Sequence, residues 1–235
     1  MSASEEILIS GTSAGLGTAL AKHYCALGQR VIGLSRRPAT FQSDTYRHEQ
    51  VDISDDEEIT KLFQGFREEK ESIKLMIHCA AVSHSSLALL TSGAVARNLA
   101  EINIVGSFLL LRESIKHMKR RGDGRIVCLS SMNVPTASAG SSVYNASKAA
   151  LENLAHTLSN ETQDTSITIN CLGLSIYDEG GMARELDKAA LVEKSRHANR
   201  SISVSLEEIV HAIDFFASDM AASITNQTIY FSGVK

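Results

Sequence analysis

The chain has no tryptophan and only 5% aromatic residues, so it offers no broad stacking surface for nucleic-acid bases. Proline occurs twice, at Pro38 and Pro135, and both positions read as loops. The four cysteines, Cys25, Cys79, Cys128 and Cys171, stand far apart and mostly inside apolar runs. Without CxxC or Cys/His ligand spacing, neither a zinc site nor a disulfide frame is indicated, and reduced, buried thiols are expected. No stretch approaches the ~20 apolar residues of a membrane span. The N-terminal MSASEE carries acids where a signal peptide carries bases. A net charge of -4 gives no reason to expect nucleic acid or an anionic membrane as a partner. The basic cluster Lys116-His117-Met118-Lys119-Arg120-Arg121 closes a long predicted helix, where cations suit the negative end of the dipole. These absences lead to a soluble, cytoplasmic protein.

What is present is a large core and a regular alternation. The 235 residues are 43% hydrophobic and 21% charged, which suits one domain spanning 1–235. Strands are predicted near residues 7–10, 30–34, 46–51, 75–79, 124–130, 166–171 and 228–231. Helices are predicted near 15–27, 55–69, 94–120, 142–161, 182–197 and 206–217. Ser54 and Ser205, each ahead of acidic residues, read as helix caps. Alternating strands and helices predict an α/β fold: a Rossmann-like, doubly wound parallel sheet of about seven strands, helices on both faces.

Two segments carry chemistry. In EEILISGTSAGLGTALAKHYCALG, the apolar run Ile7-Leu8-Ile9 is followed by Gly11, Gly15 and Gly17 and then by helical spacing. Glycines at a strand-to-helix turn let the backbone approach a phosphate, and the helix start points N–H groups at it. In YNASK, Tyr144 and Lys148 are four apart and share a helix face. A phenol titrates near pH ~10, and a neighbouring cation favours its phenolate. A serine nearby, such as Ser131, can hold a carbonyl oxygen while the tyrosine gives or takes its proton.

With SGTSAGLG (residues 10–17), Val51-Asp52, Asn103 within EINIVGSF, IVCLSS ending at Ser131, YNASK, Ile169-Asn170 and ITNQTIYFSG in that order, the chain resembles the short-chain dehydrogenase/reductase family over nearly its whole length. The resemblance implies an enzyme that moves a hydride between a nicotinamide and a carbonyl or alcohol carbon of a small molecule. It assigns Ser131, thirteen residues before the tyrosine, to orienting the carbonyl and Tyr144 to acid-base work. Lys148 would bond the nicotinamide ribose, and Asn103 would kink its helix around a water that relays protons to Lys148. Gly11, Ser13, Gly15, Leu16, Gly17, Asp52, Ile53, Ala80, Ala81, Tyr144 and Lys148 would line the dinucleotide.

The end of the second strand decides which dinucleotide. An acidic residue there would bond the ribose hydroxyls and repel a 2′-phosphate. Ser35 occupies that place, followed by Arg36 and Arg37, and a guanidinium grips phosphate bidentately, so NADP(H) is expected ahead of NAD(H). Two departures from the family stand out. His78-Cys79-Ala80-Ala81 replaces the usual Asn-Asn-Ala-Gly, with His78 read as a hydrogen-bonded interior residue. In CLGLSIYDEGGM, either Leu174-Ser175 or, with a small deletion, Gly173 stands where the family has Pro-Gly, and Glu179 falls at its amide-anchoring Thr. The substrate is expected between residues 132–142 and 175–200, the latter with a Gly180-Gly181 hinge. A non-catalytic dinucleotide sensor and a nucleotide-sugar epimerase or dehydratase are the alternatives. The latter usually has a larger C-terminal domain than the roughly 60 residues after Cys171. Broad apolar girths on the helices at 94–120 and 142–161 predict a homo-oligomer, tetramer before dimer.

Overall fold

The computed structural model describes residues 5–177 and 198–233. Its sheet is built from β1 (Glu6–Ser10), β2 (Arg30–Ser35), β3 (Tyr46–Gln50), β4 (Ile73–His78), β5 (Asp123–Ser131), β6 (Ser166–Leu174) and β9 (Thr228–Tyr230), all parallel, in the order β3-β2-β1-β4-β5-β6-β9. Two-residue strands β7 (Ile176–Tyr177) and β8 (Ser203–Val204) pair separately. Alternate strand residues point to opposite faces. Leu8, Ile32, Met76, Ile126 and Ile169 pack under α2 (Asp56–Glu68), α4 (Ser107–Arg121) and α6 (Ser142–Asn160). Ile7, Ile9, Val31, Ile77, Val127 and Leu172 pack under α1 (Gly15–Ala26) and α7 (Leu206–Ala217). The expected two-faced, doubly wound sheet is therefore present. Its order reverses between β1 and β4, and the crevice at such a switch point is where ligands bind.

Local corrections have local causes. Asp55, not Ser54, caps α2: its side chain accepts from Glu58 N at 3.0 Å, while Ser54 Oγ donates to Asp52 Oδ1 at 2.7 Å. Ser205 caps α7 as expected, in a reciprocal box with Glu208. Pro135 lies inside a short helical turn, α5 (Asn133–Thr136), rather than a loop. The helix expected at 94–120 is α3 (Gly93–Ala100) and α4, joined by a π-helical stretch at Glu101–Gly106. This continuous run, Gly93–Arg121, does have the length and mean hydropathy of a membrane span, contrary to expectation. Here Leu109, Leu110, Leu111, Ile115 and Met118 pack it into the core. The helix expected at 182–197, the hinge at Gly180-Gly181 and Glu179 lie outside the described residues.

Candidate active site

A cavity of about 880 Å³ runs along the C-terminal edge of the sheet. Its floor is the turn from β1 to α1. Gly11 has φ +80, and a Cβ there would come within 2.9 Å of the Ala80 backbone. At Gly17 a Cβ would come within 2.3 Å of the Gly11 carbonyl oxygen. Only bare backbone fits, so these glycines hold the turn tight against the Cys79–Ala81 strand end. Gly11, Ser13, Gly15, Leu16, Gly17, Ser35, Arg36, Asp52, Ile53, Ala80 and Ala81 all line the cavity.

At one end of it, Ser35 Oγ donates to the Arg37 carbonyl at 2.7 Å, closing a turn that presents both arginines. Arg36 lies 3.7 Å from Asp52, and Arg37 Nε donates to Ser13 Oγ at 3.3 Å. Burial acts upward on Asp52, but two hydrogen bonds from Ser54 and the Arg36 guanidinium outweigh it and hold its carboxyl below the usual range.

Behind the cavity floor, the His78 imidazole is fully buried between two hydroxyls. Ser107 Oγ donates its one hydrogen to the Asn103 carbonyl at 2.6 Å, so at 2.7 Å it accepts from His78 Nε2. Ser10 Oγ accepts from Cys79 N (3.0 Å) and Ala80 N (3.1 Å), leaving its hydrogen for His78 Nδ1 at 2.9 Å. The imidazole is thus neutral with its hydrogen on Nε2. Burial, aided by the Lys148 ammonium, pushes its pKa down to about 3. His78 is an interior residue, as the sequence implies. Burial likewise pushes the Cys79 thiol up to about 11, which leaves it unreactive.

Ser131, Tyr144 and Lys148 line the same cavity at the β5 side of the sheet. Ser131 ends β5, where its Oγ accepts from Asn133 N at 3.1 Å and so uses a lone pair rather than its hydrogen. The neighbouring Ser130 instead donates to Glu152. Tyr144 and Lys148 face the cavity from the first turns of α6, with Lys148 Nζ 5.9 Å from the phenol ring centre. Lys148 is buried and donates to the Leu129 carbonyl at 2.7 Å.

Asn103 does not line the cavity. It sits in the π-helical stretch, its amide donating to the Val82 carbonyl (2.8 Å) and Ser147 Oγ (3.0 Å) and accepting from Val82 N (2.9 Å). Ser147 passes the link to the Tyr144 carbonyl at 2.8 Å, a role hidden in the sequence because small residues inside YxxxK look interchangeable.

At the end of β6 the two registers put different residues against the cavity. Gly173 lies within the strand, where a Cβ would come within 2.1 Å of the Tyr230 ring. Leu174, Ser175, Ile176 and Tyr177 are the residues that reach the cavity. The gap-free register is thus the one in which the Pro-Gly positions border the site. Ser83, His84 and Ser85 also line it, and sequence reasoning missed them because a short polar run after a strand reads as ordinary loop.

A dinucleotide-binding oxidoreductase is the class that this edge, floor and triad define. The sequence profile described as short chain dehydrogenase matches residues 5–191. The 3-oxoacyl-(acyl-carrier-protein) reductase FabG of Rickettsia conorii is 30% identical over 234 residues, covering 96% of this chain and 94% of its own. The NADPH-dependent aldehyde reductase 2, chloroplastic, of Arabidopsis thaliana is 29% identical, covering 96% and 92%. The solved structure of 4-hydroxyisoleucine dehydrogenase complexed with NADH is 25% identical with a TM-score of 0.84, covering 97% of each chain. The chain belongs to the short-chain dehydrogenase family. It is an oxidoreductase of the kind that takes a nicotinamide dinucleotide.

Proposed function

We propose that the protein is an NADP(H)-dependent oxidoreductase acting on a carbonyl or alcohol group of a small molecule. The observation that carries this reading is one continuous cavity, with two arginines at its adenosine end and Ser131, Tyr144 and Lys148 at the other. The close-packed floor at Gly11 and Gly17 fits a dinucleotide backbone laid against the N-terminus of α1. Gly11, Ser13, Gly15, Leu16 and Gly17 would hold the phosphates, Ser35 to Arg37 the 2′-phosphate, Asp52 and Ile53 the adenine, and Ala80 and Ala81 the ribose. When bound, the nicotinamide supplies or accepts the hydride. Ser131, whose hydrogen is not spent on Asn133, donates it to the substrate oxygen. Tyr144 gives its proton to the nascent alkoxide, or takes it from an alcohol. Lys148 sets its charge beside the phenol, is held by the Leu129 carbonyl, and would bond the nicotinamide ribose. Asn103 acts from behind: it holds Val82 and Ser147, and through Ser147 the first turn of α6. The four free cysteines suit a reducing, cytoplasmic setting. Scanning carbonyl compounds for loss of NADPH absorbance tests the reading. Tight NADPH binding with no turnover on any compound would favour a sensor instead.

The same reading extends to assembly. Val105 and Phe108 stand exposed on the α3–α4 run beside its buried face, and Ala149 is exposed on α6. An isologous partner is the commonest cover for such a girth, and we expect a homotetramer or, second, a homodimer. Light scattering at micromolar concentration should report two or four chains. A fully active monomer would end this expectation.

A further inference from the structure

Gly33 in β2 leaves a hole in the sheet. A Cβ there would come within 2.1 Å of Tyr46 Oη and 2.6 Å of Thr12 Oγ1. Three polar groups of the glycine loop and β3 use that space. Tyr46 Oη lies 3.0 Å from Thr12 Oγ1 and 2.8 Å from Nδ1 of His48. His48 then reaches outward to the turn after β2, with Nε2 3.0 Å from the Arg37 carbonyl and 3.2 Å from Ser35 Oγ. A carbonyl oxygen only accepts, so Nε2 carries a hydrogen and donates it. Ser35 Oγ donates to the same carbonyl at 2.7 Å. From that doubly held residue the Arg37 side chain turns back, and its Nε donates to Ser13 Oγ at 3.3 Å. The contacts run Thr12–Tyr46–His48–Arg37–Ser13 and so close a ring between the two loops at the adenosine end. Thr12, Tyr46 and His48 stand outside the residues that line the cavity, behind Ser13, Ser35 and Arg37, which line it.

We propose that His48 is a positioning residue that sets the cofactor specificity of this enzyme. By holding the Arg37 carbonyl it fixes the 35–37 turn in the shape that brings Arg36 and Arg37 to a 2′-phosphate beside Ser13. The inference rests on the NADP(H) reading above. Its physical basis is preorganisation: two long cations on an exposed turn lose conformational freedom when they grip a phosphate, and a turn already pinned loses less. A cofactor without the 2′-phosphate never draws on those arginines. Loss of the pin therefore falls on NADPH and spares NADH. A merely structural role for His48 would weaken both alike.

The test is calorimetric titration of NADPH and of NADH into wild type, His48→Leu, His48→Gln and Tyr46→Phe, with melting temperatures alongside. His48→Leu should raise the NADPH Kd about tenfold, the size expected for loss of one hydrogen bond, and the NADH Kd by less than about twofold. His48→Gln, whose amide nitrogen can donate to the Arg37 carbonyl, should recover much of the loss. Should His48→Leu fail to fold, Tyr46→Phe carries the same expectation at smaller size, because it removes only the support of Nδ1. Equal effects on the two nucleotides, or none on either, overturn this inference while the NADP(H) reading stands. A wild type that binds NADH more tightly than NADPH overturns both.

Discussion

The two edges of the sheet are built on opposite electrostatic plans. At the N-terminal edge, charged groups pair with one another: Glu6 with Arg30 (2.8 Å), Arg47 with Glu69 (2.8 Å) and Glu71 (2.6 Å), Lys74 with Asp123 (2.9 Å), and Arg121 with Asp123 (2.6 Å) and Glu5. At the C-terminal edge the groups buried behind the cavity floor are hydroxyls and a neutral imidazole, Ser10, His78 and Ser107, the buried Lys148 is held by a backbone carbonyl, and the cations Arg36 and Arg37 are exposed and loosely engaged. One edge has its charges closed among themselves. Among the described residues the other has no such closed set of pairs and leaves Arg36 and Arg37 exposed. Because a parallel sheet also points helix N-termini at that edge, sequence and topology act in the same direction there.

The largest break in this comparison is chemical. Tyr144→Phe removes the proposed proton donor but leaves the glycine turn and the arginines in place. Turnover should fall by ~10²–10⁴-fold or more, with the NADPH Kd little changed. Arg47→Gln at the opposite edge should leave turnover within about twofold, since its ion pairs lie away from the cavity. Steady-state rates and nucleotide titrations on the two variants measure this directly. A Tyr144→Phe protein that keeps most of its activity would remove the tyrosine from the mechanism.

Next comes the floor. In Gly17→Ala the new methyl would meet the Gly11 carbonyl at 2.3 Å, and the obstacle is backbone that cannot swing aside. The turn must open, at a cost of ~1–3 kcal/mol in stability, and nucleotide binding should fall with it. Gly65, on α2, has open space around its would-be Cβ, so Gly65→Ala should be neutral or slightly stabilising. Melting temperature and NADPH titration distinguish the two. Unimpaired binding by Gly17→Ala would mean that the turn relaxes more freely than its contacts imply.

These glycines also illustrate what a sequence makes legible. Strands declared themselves as short apolar runs buried on both faces and helices by their apolar spacing, and Gly11, Gly15 and Gly17 because a spacing survives without knowledge of the partner. Ser131, Tyr144 and Lys148 line one cavity because a strand end and a helix start place them there. Gly33 carried no such signal. Its neighbour Tyr46 comes from another strand, and only pairing Gly33 with His48 brings the two together. The same holds for Gly173 under Tyr230, and for the choice between Ser54 and Asp55 as cap, which turns on a competing bond to Asp52. Contacts between distant segments decide such positions, and no local pattern records them.

The subtlest test sets the edges against each other through pH. Burial, with the neighbouring Glu71, pushes the Glu6 carboxyl from its ordinary 4.5 up to about 7, against the pull of Arg30. Between those values the folded chain holds a proton that the unfolded chain has lost, so stability falls as pH rises through this window. His78 has the opposite sign. Its pKa drops from 6.5 to about 3, so the unfolded chain binds the extra proton and stability rises with pH across that span. The two slopes oppose each other where they overlap, from 4.5 to 6.5, and Glu6 alone acts from there to about 7. Urea unfolding at half-unit steps from pH 4 to 8 should therefore give a shallow wild-type profile. Glu6→Gln should steepen the rise toward pH 6.5, leaving His78 unopposed. His78→Asn should instead leave the Glu6 carboxyl to give a fall in stability up to about pH 7. Parallel profiles for all three proteins would show that neither buried group titrates differently on folding, and the contrast between the edges would then be one of geometry alone.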